Sequence, residues 1–302
     1  MSANTFPYTL SMTDMLWLGN MQSQMDIRNR LMLLQQGILP QQMVMPSGPE
    51  DDEDEEDDPS KPDTRYVELR GPLAVITTKG PLTNKDSFTN WLLGGTTYNQ
   101  IRDAFIEAAG LVQAGHAKEI LHIVKSPGGA ALGLEDTGAL IRQIAADICP
   151  VSTYAQEACS AAYWMAAAGS KIYAAASSNL GSIGTRMSIP NFFKSLQDEG
   201  VTVHSISAGK FKTLGDPTQE WTKDAEEYLQ SRVDSINSIF LRTVSEYRNQ
   251  PLAYVEEKMA QGREFTGEQA YDVHLVDRVV TLDKLVQQMQ ASLSKRTPQP
   301  PY

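Results

Sequence analysis

Four kinds of residue in this chain could do covalent chemistry together, and they lie in separate segments. Ser160 opens Ser160-Ala161-Ala162-Tyr163-Trp164, where a helix is expected to begin. A hydroxyl there sits at the positive end of the helix dipole, and the following N–H is free for an anion; the same position also suits an ordinary capping serine. Ser126-Pro127-Gly128-Gly129 directly follows an expected strand. Glycine removes the side chain that would hold a carbonyl away, so this turn could offer backbone N–H groups to an oxyanion, or be a plain strand-to-helix connection. A serine needs a base to become a nucleophile. The histidines are His116, His122, His204 and His274. His122 falls inside an expected strand and His204 at the end of another, where packing is the better reading. Lysine is the alternative base, because burial can leave its amine neutral. Lys210 and Lys212 both lie in the glycine-bearing stretch 207–217, expected to follow a strand, and each taken alone reads as a solvated surface lysine.

The elements that must position these residues alternate in type. Short runs at 66–69, 73–77, 119–124, 151–155 and 171–175 read as strands. Helical patterns cover 134–148, the Ala-rich stretch from Ser160, 219–247 and 282–293, with a helix-like segment at 191–198. Such alternation predicts an α/β fold with crossover connections. The most apolar stretch, 158–169, is about half the ~20 residues a membrane span needs and reads as a buried helix. Upstream, apolar residues recur at helical spacing over 13–39, predicting an amphipathic leader helix with adaptable Met contacts.

Charge is unevenly distributed. The chain of 302 residues carries a formal charge of -11, yet nine acids form one run, Glu50 to Asp58, and the remaining 28 nearly balance the 26 bases. The run and its Pro, Ser and Gly neighbours at 46–63 predict a disordered acidic linker. No basic stripe marks a nucleic-acid partner. Two cysteines, Cys149 and Cys159, are too few for a disulfide framework or a cysteine-built zinc site, which fits a reducing compartment. The first residues lack the basic start and apolar core of a secretory signal, so the expectation is the cytoplasm, without an integral membrane segment.

Taken in order, the segments resemble the signal peptide peptidase A family of serine endopeptidases, including its phage capsid-maturation members. The resemblance covers about 67–280 and rests on Ser126-Pro127-Gly128-Gly129, the Ser160 helix start, Gly181-Ser182-Ile183-Gly184, and Lys212 within Gly209-Lys210-Phe211-Lys212-Thr213-Leu214-Gly215-Asp216-Pro217. A later stretch, Arg263-Glu264-Phe265-Thr266-Gly267 running to Leu275-Val276-Asp277, is similar to the family's ending. Each motif alone is weak; their order is specific. Lys125 stands where the family commonly has a small polar residue, and Ala161-Ala162 where it often has glycines.

The resemblance implies a caseinolytic protease/crotonase-like fold of stacked β-β-α units. It implies Ser160 as nucleophile, Lys212 as general base, Ser182 orienting the lysine amine, and an oxyanion hole from Gly128, Gly129 and Ala161. No metal or organic cofactor is implied. The domain plan expected is a helical leader at 1–45, the acidic linker at 46–63, a Ser-Lys peptidase domain at 64–282, and a C-terminal helix and tail at 283–302. Implied partners are a protein or peptide substrate, in a phage setting capsid and scaffold proteins within host cytoplasm or prohead, and further copies of the chain sharing the site across an interface. The competing readings are a signal-peptide-degrading enzyme recruited to the membrane by its leader, an acyl-CoA enzyme of the crotonase kind, and a catalytically silent assembly module.

Overall fold

The computed structural model describes residues 65–84 and 94–295, together with the backbone of Leu16–Gly19. In chain order the elements are β1 (Leu16–Gly19), β2 (Glu68–Arg70), β3 (Leu73–Lys79), β4 (Leu82–Thr83), β5 (Thr96–Thr97), α1 (Tyr98–Gln113), β6 (Glu119–Ser126), β7 (Gly128–Ala130) and α2 (Leu134–Asp147). There follow β8 (Val151–Cys159), α3 (Ala161–Ala168), β9 (Lys171–Ala174), β10 (Asn179–Gly181), β11 (Arg186–Met187), α4 (Phe193–Asp198) and α5 (Lys223–Tyr247). The last are α6 (Leu252–Tyr254), which runs into a π turn at Val255–Met259, then β12 (Glu264–Thr266), α7 (Gly267–Asp272), β13 (Arg278–Val279) and α8 (Leu282–Ser294).

The larger sheet runs β12-β10-β8-β6-β3-β2, with β9 also beside β8 and β13 beside β9. Its centre, β3, β6, β8 and β10, is parallel. The first residues of β3 and most of β6 are apolar, and β3, β6 and β8 are buried along most of their length because both faces are covered. Along β3, Ala74 and Ile76 join the core shared with α1, α2 and α3, whereas Leu73 and Val75 face the opposite cluster, closed by Leu285, Met289 and Leu293 of α8. The terminal helix therefore completes the sheet's second face. The Leu275-Val276-Asp277 stretch does structural work: Asp277 takes a bidentate pair of bonds from Arg248 at 2.9 and 3.1 Å and the Ile172 N–H at 2.6 Å, tying the end of α5 to β9.

A smaller sheet has the order β11-β1-β7-β4-β5, and its β7 directly follows β6 in the chain. Within it β1 is antiparallel to both neighbours, β7 and β11. At these four residues the expected leader helix is instead a strand: the open edges of β7 and β11 supply a ladder of hydrogen bonds that a helix would leave unmade. The rest of the leader, and the acidic linker, lie outside the described residues. A second expectation also changes. The segment 201–207, expected as a strand before the lysine loop, is irregular and exposed, because its alternating apolar residues have no neighbouring strand among the described residues.

Candidate active site

The parallel register sets the site. Ser126 of β6 pairs with Ala158 of β8, so both chains leave the sheet at one level, and β10 brings Gly181 beside Cys159. Three of the sequence motifs thus meet at the carboxyl ends of adjacent parallel strands, the usual place for a site in α/β sheets.

Ser160 joins β8 to α3 with φ 54° and ψ −120°, a conformation L residues rarely adopt. Such strain costs about 1–3 kcal/mol and persists only where the surroundings enforce it. Here the Ser160 N–H donates to the Gly181 carbonyl at 2.7 Å, and its own carbonyl accepts from Tyr163 and Trp164 N–H groups at 2.9 and 3.1 Å. Its hydroxyl makes no capping bond; it donates to the Gly184 carbonyl at a long 3.5 Å. The capping-serine alternative does not describe this residue. α3 itself is buried on every side, with Trp164 stacked on Phe240 of α5 at 5.1 Å and the Tyr163 hydroxyl donating to the Leu275 carbonyl at 2.8 Å. A helix so enclosed fixes its first residue, and its dipole favours negative charge beside Ser160.

Ser182 also has positive φ, at 49°, and its N–H donates to the Arg263 carbonyl at 2.6 Å. With Gly184 and Arg186 it lines a cavity of about 500 Å³ against α5 residues Gln230 and Asp234. The expected oxyanion donors are placed differently from one another. The first N–H of α3, at Ala161, takes no acceptor among the described residues. The Gly128 N–H donates to Ser126 Oγ at 3.2 Å, and that hydroxyl donates to the Gly80 carbonyl at 2.7 Å. Gly129 lies in β7 between Leu18 and Leu82.

The lysines part company. Lys210 Nζ sits over the Phe211 ring at 5.5 Å, a local cation–π contact. Lys212 is exposed, and its side chain makes no polar contact with any described residue, Ser160 and Ser182 included. What holds the lysine loop is a residue given no role above, Asp216. It accepts from the Thr218 N–H at 2.8 Å, Thr218 Oγ1 at 2.7 Å and Ser205 Oγ at 2.9 Å. Burial by itself would raise this carboxyl; the three hydrogen bonds outweigh it and hold it below the usual carboxylate range. The Asp-Pro-Thr spacing, which suits an Asx turn, was the available signal. Among the histidines, His122 is fully buried, Nε2 bonded to Thr78 Oγ1 at 2.8 Å and the ring edge-on to Phe105 at 5.0 Å, a core residue as its strand position predicts.

Comparison with known proteins bears on this arrangement. The profile of peptidase family S49 matches residues 144–295, a span that holds Ser160, Ser182 and Lys212. A "putative protease" of Methanocaldococcus jannaschii is 32% identical over 183 residues, covering 60% of this chain and 58% of that protein. A "putative signal peptide peptidase SppA" of Enterococcus faecium is 30% identical over 54% of this chain and 47% of its own length. The head-tail preconnector protein of Enterobacteria phage P21 is 24% identical over 78% of this chain and 46% of its length. The chain spans about half the length of these relatives.

Proposed function

Since the chain belongs to peptidase family S49, we propose that it is a serine endopeptidase in which Ser160 attacks a peptide carbonyl, Lys212 takes the serine proton, and Ser182 orients the lysine amine. The observation that carries this reading is the conformation of Ser160: strained, uncapped, and fixed at the start of a fully enclosed helix beside the Gly181-Ser182-Ile183-Gly184 turn. Attack passes the hydroxyl proton to the neutral amine, forms an acyl-enzyme as the amine product leaves with that proton, and water then hydrolyses the ester. Ala161 N–H, with the Gly128–Gly129 turn once released from its present bonds, stabilises the oxyanion.

The lysine comes from a second copy of the chain. Lys212 lies in an exposed stretch of chain that also holds Ile206 and Phe211, which retain 99 and 53% exposure. Exposed apolar side chains of this size favour a covered surface, and a copy docked there could deliver Lys212 to a neighbour's Ser160. The stacked β-β-α core of ring-forming relatives, residues 64–282 with the packed α8, is the unit proposed to assemble.

The proposed substrates are capsid and scaffold proteins, a reading favoured by the similarity to a phage head-tail preconnector protein. The proposed setting is the cytoplasm or prohead; no helix among the described residues is long and apolar enough to cross a membrane. Incubating the purified chain with candidate capsid proteins and mapping new termini by mass spectrometry tests it. Cleavage lost in Ser160→Ala is expected; cleavage at the wild-type rate in folded Ser160→Ala would sink the assignment.

A further inference from the structure

We infer that the chain carries its own occupant for the peptide cleft: Leu16–Gly19 lies where a substrate strand must lie, so β7 and β11 form a peptide-binding groove held closed by the leader. This rests on the reading of Ser160 as the nucleophile. Three observations converge. First, β1 is hydrogen-bonded on one side to Gly128–Ala130, with Gly19 opposite Gly128, Leu18 opposite Gly129 and Trp17 opposite Ala130. On the other side it pairs with β11, Trp17 opposite Arg186 and Leu16 opposite Met187. Those two edges flank the candidate site: β7 begins at the expected oxyanion turn, and β11 follows Gly184, whose carbonyl takes the Ser160 hydroxyl. Second, β1 is joined to neither of them by a short turn, since residues 20–127 separate it from β7 in the chain and β11 lies later still. It is added to the sheet as a separate peptide is added in strand augmentation, where main-chain bonds give affinity and alternate side chains give specificity. Third, Ser160 is 1% exposed in this arrangement, so a substrate carbonyl reaches its hydroxyl only by replacing something already packed there.

The register gives the occupant a direction. The strand runs antiparallel to β7 and ends at Gly19 opposite Gly128, and Gly128 leaves β6 at the level where Ser160 leaves β8. The carboxyl end of β1, at Gly19, is therefore at the level where the nucleophile leaves its strand. The groove takes an extended peptide of about four residues on the amino side of its scissile bond, and the leader competes for it by occupying the same main-chain donors and acceptors.

The test uses the full chain. In one variant, Trp17→Cys with Ala130→Cys places thiols at directly opposed positions, close enough for a disulfide. In another, Trp17→Pro with Leu18→Pro removes two successive N–H groups, which point to opposite neighbours in a strand, and so breaks the pairing on both sides. A fluorophosphonate probe reports the availability of Ser160. The expected results are a cross-link under mild oxidation, seen by altered mobility on a non-reducing gel, and probe labelling that falls when the link forms and recovers on reduction. The proline variant should label roughly tenfold faster than the parent, as follows if the cleft is open about a tenth of the time. Failure of the cross-link in folded protein overturns the inference, as does labelling unchanged by the prolines. A cross-link formed in a protein whose Ser160 never labels, reduced or oxidised, instead overturns the serine assignment and supports the strand's place beside β7.

Discussion

For Ser160 as the proposed nucleophile, function and stability oppose each other. With φ at 54° the residue is strained, and its hydroxyl returns little, because it caps nothing and its one hydrogen bond among the described residues is 3.5 Å long. Ser160→Gly should therefore raise stability by about 1 kcal/mol in urea unfolding, since glycine tolerates positive φ. Both Ser160→Gly and Ser160→Ala should lower cleavage by roughly 10⁴-fold or more. A Gly variant less stable than the parent would mean that the turn is not strained in solution. At the other proposed catalytic residue, Lys212→Arg should be as inactive as Lys212→Ala, because a guanidinium cannot accept the serine proton. Lys210→Ala, which removes only a contact with Phe211, should retain activity, and the reverse pattern would exchange the two lysines. His122 predicts something different in kind. Burial pushes its imidazole down from 6.5 to about 3, and Nδ1 has no partner among the described residues. Below pH 6.5 the unfolded chain binds a proton that the folded chain refuses, so stability present above that pH is lost on acidification at about 1.4 kcal/mol per pH unit. The urea midpoint should fall between about pH 6.5 and about pH 5 by a margin equivalent to ~2 kcal/mol. His122→Gln should flatten that slope whatever it does to stability at neutral pH.

At the scale of elements, β3 and β6 were legible because burial on both faces writes much of each as an apolar run, and the Ala-rich helix because nothing in it is polar. Less was readable at the edges. α1 lacks a strongly apolar run, and its clearest signal was a capping box, Thr97 with Gln100, whose side chains exchange bonds with each other's backbone N–H. β1 could not be read as a strand, since its pairing partners, β7 and β11, are more than a hundred residues away and its local spacing suits a helix. The site divides along the same line. Ser160 and the Gly181-Ser182-Ile183-Gly184 turn were placed together by strand register, whereas the lysine loop is held by Asp216 through contacts with Ser205 and Thr218. Within β7, Gly129 matters for a reason more exacting than room for a substrate: a Cβ there would stand 2.0 Å from the Leu82 carbonyl oxygen. Gly129→Ala must push β4 away from β7, and a loss of about 3 kcal/mol or more in unfolding free energy is expected, with activity falling alongside it. A Gly129→Ala protein of unchanged stability would show that β4 and β7 do not approach as closely as described.

For the whole molecule, the separation of Ser160 from Lys212 sets the question of assembly. Among the described residues the hydroxyl has only the Gly184 carbonyl as a hydrogen-bond partner, and a carbonyl cannot take a proton from serine at neutral pH. The lysine side chain has no polar partner among the described residues, and it stands on a loop flanked by exposed apolar residues, including Ile206 at 99% exposure. In the proposed arrangement, two incomplete halves on one chain become complete sites when copies exchange loops, which would require a homo-oligomer and make activity depend on association. Mixing separately inactive Ser160→Ala and Lys212→Ala proteins under conditions of subunit exchange should then restore part of the activity, because some interfaces pair an intact serine with an intact lysine. In a random mixture of equal parts, about a quarter of the interfaces would do so, which bounds the recovery if sites act independently. Dilution below the dissociation constant of the assembly should abolish the recovered activity and the parent's alike. Mixed subunits that exchange, as shown by a mass-labelled copy, yet stay inactive would place both groups in one protomer, and the lysine loop would then have to fold inward over its own Ser160.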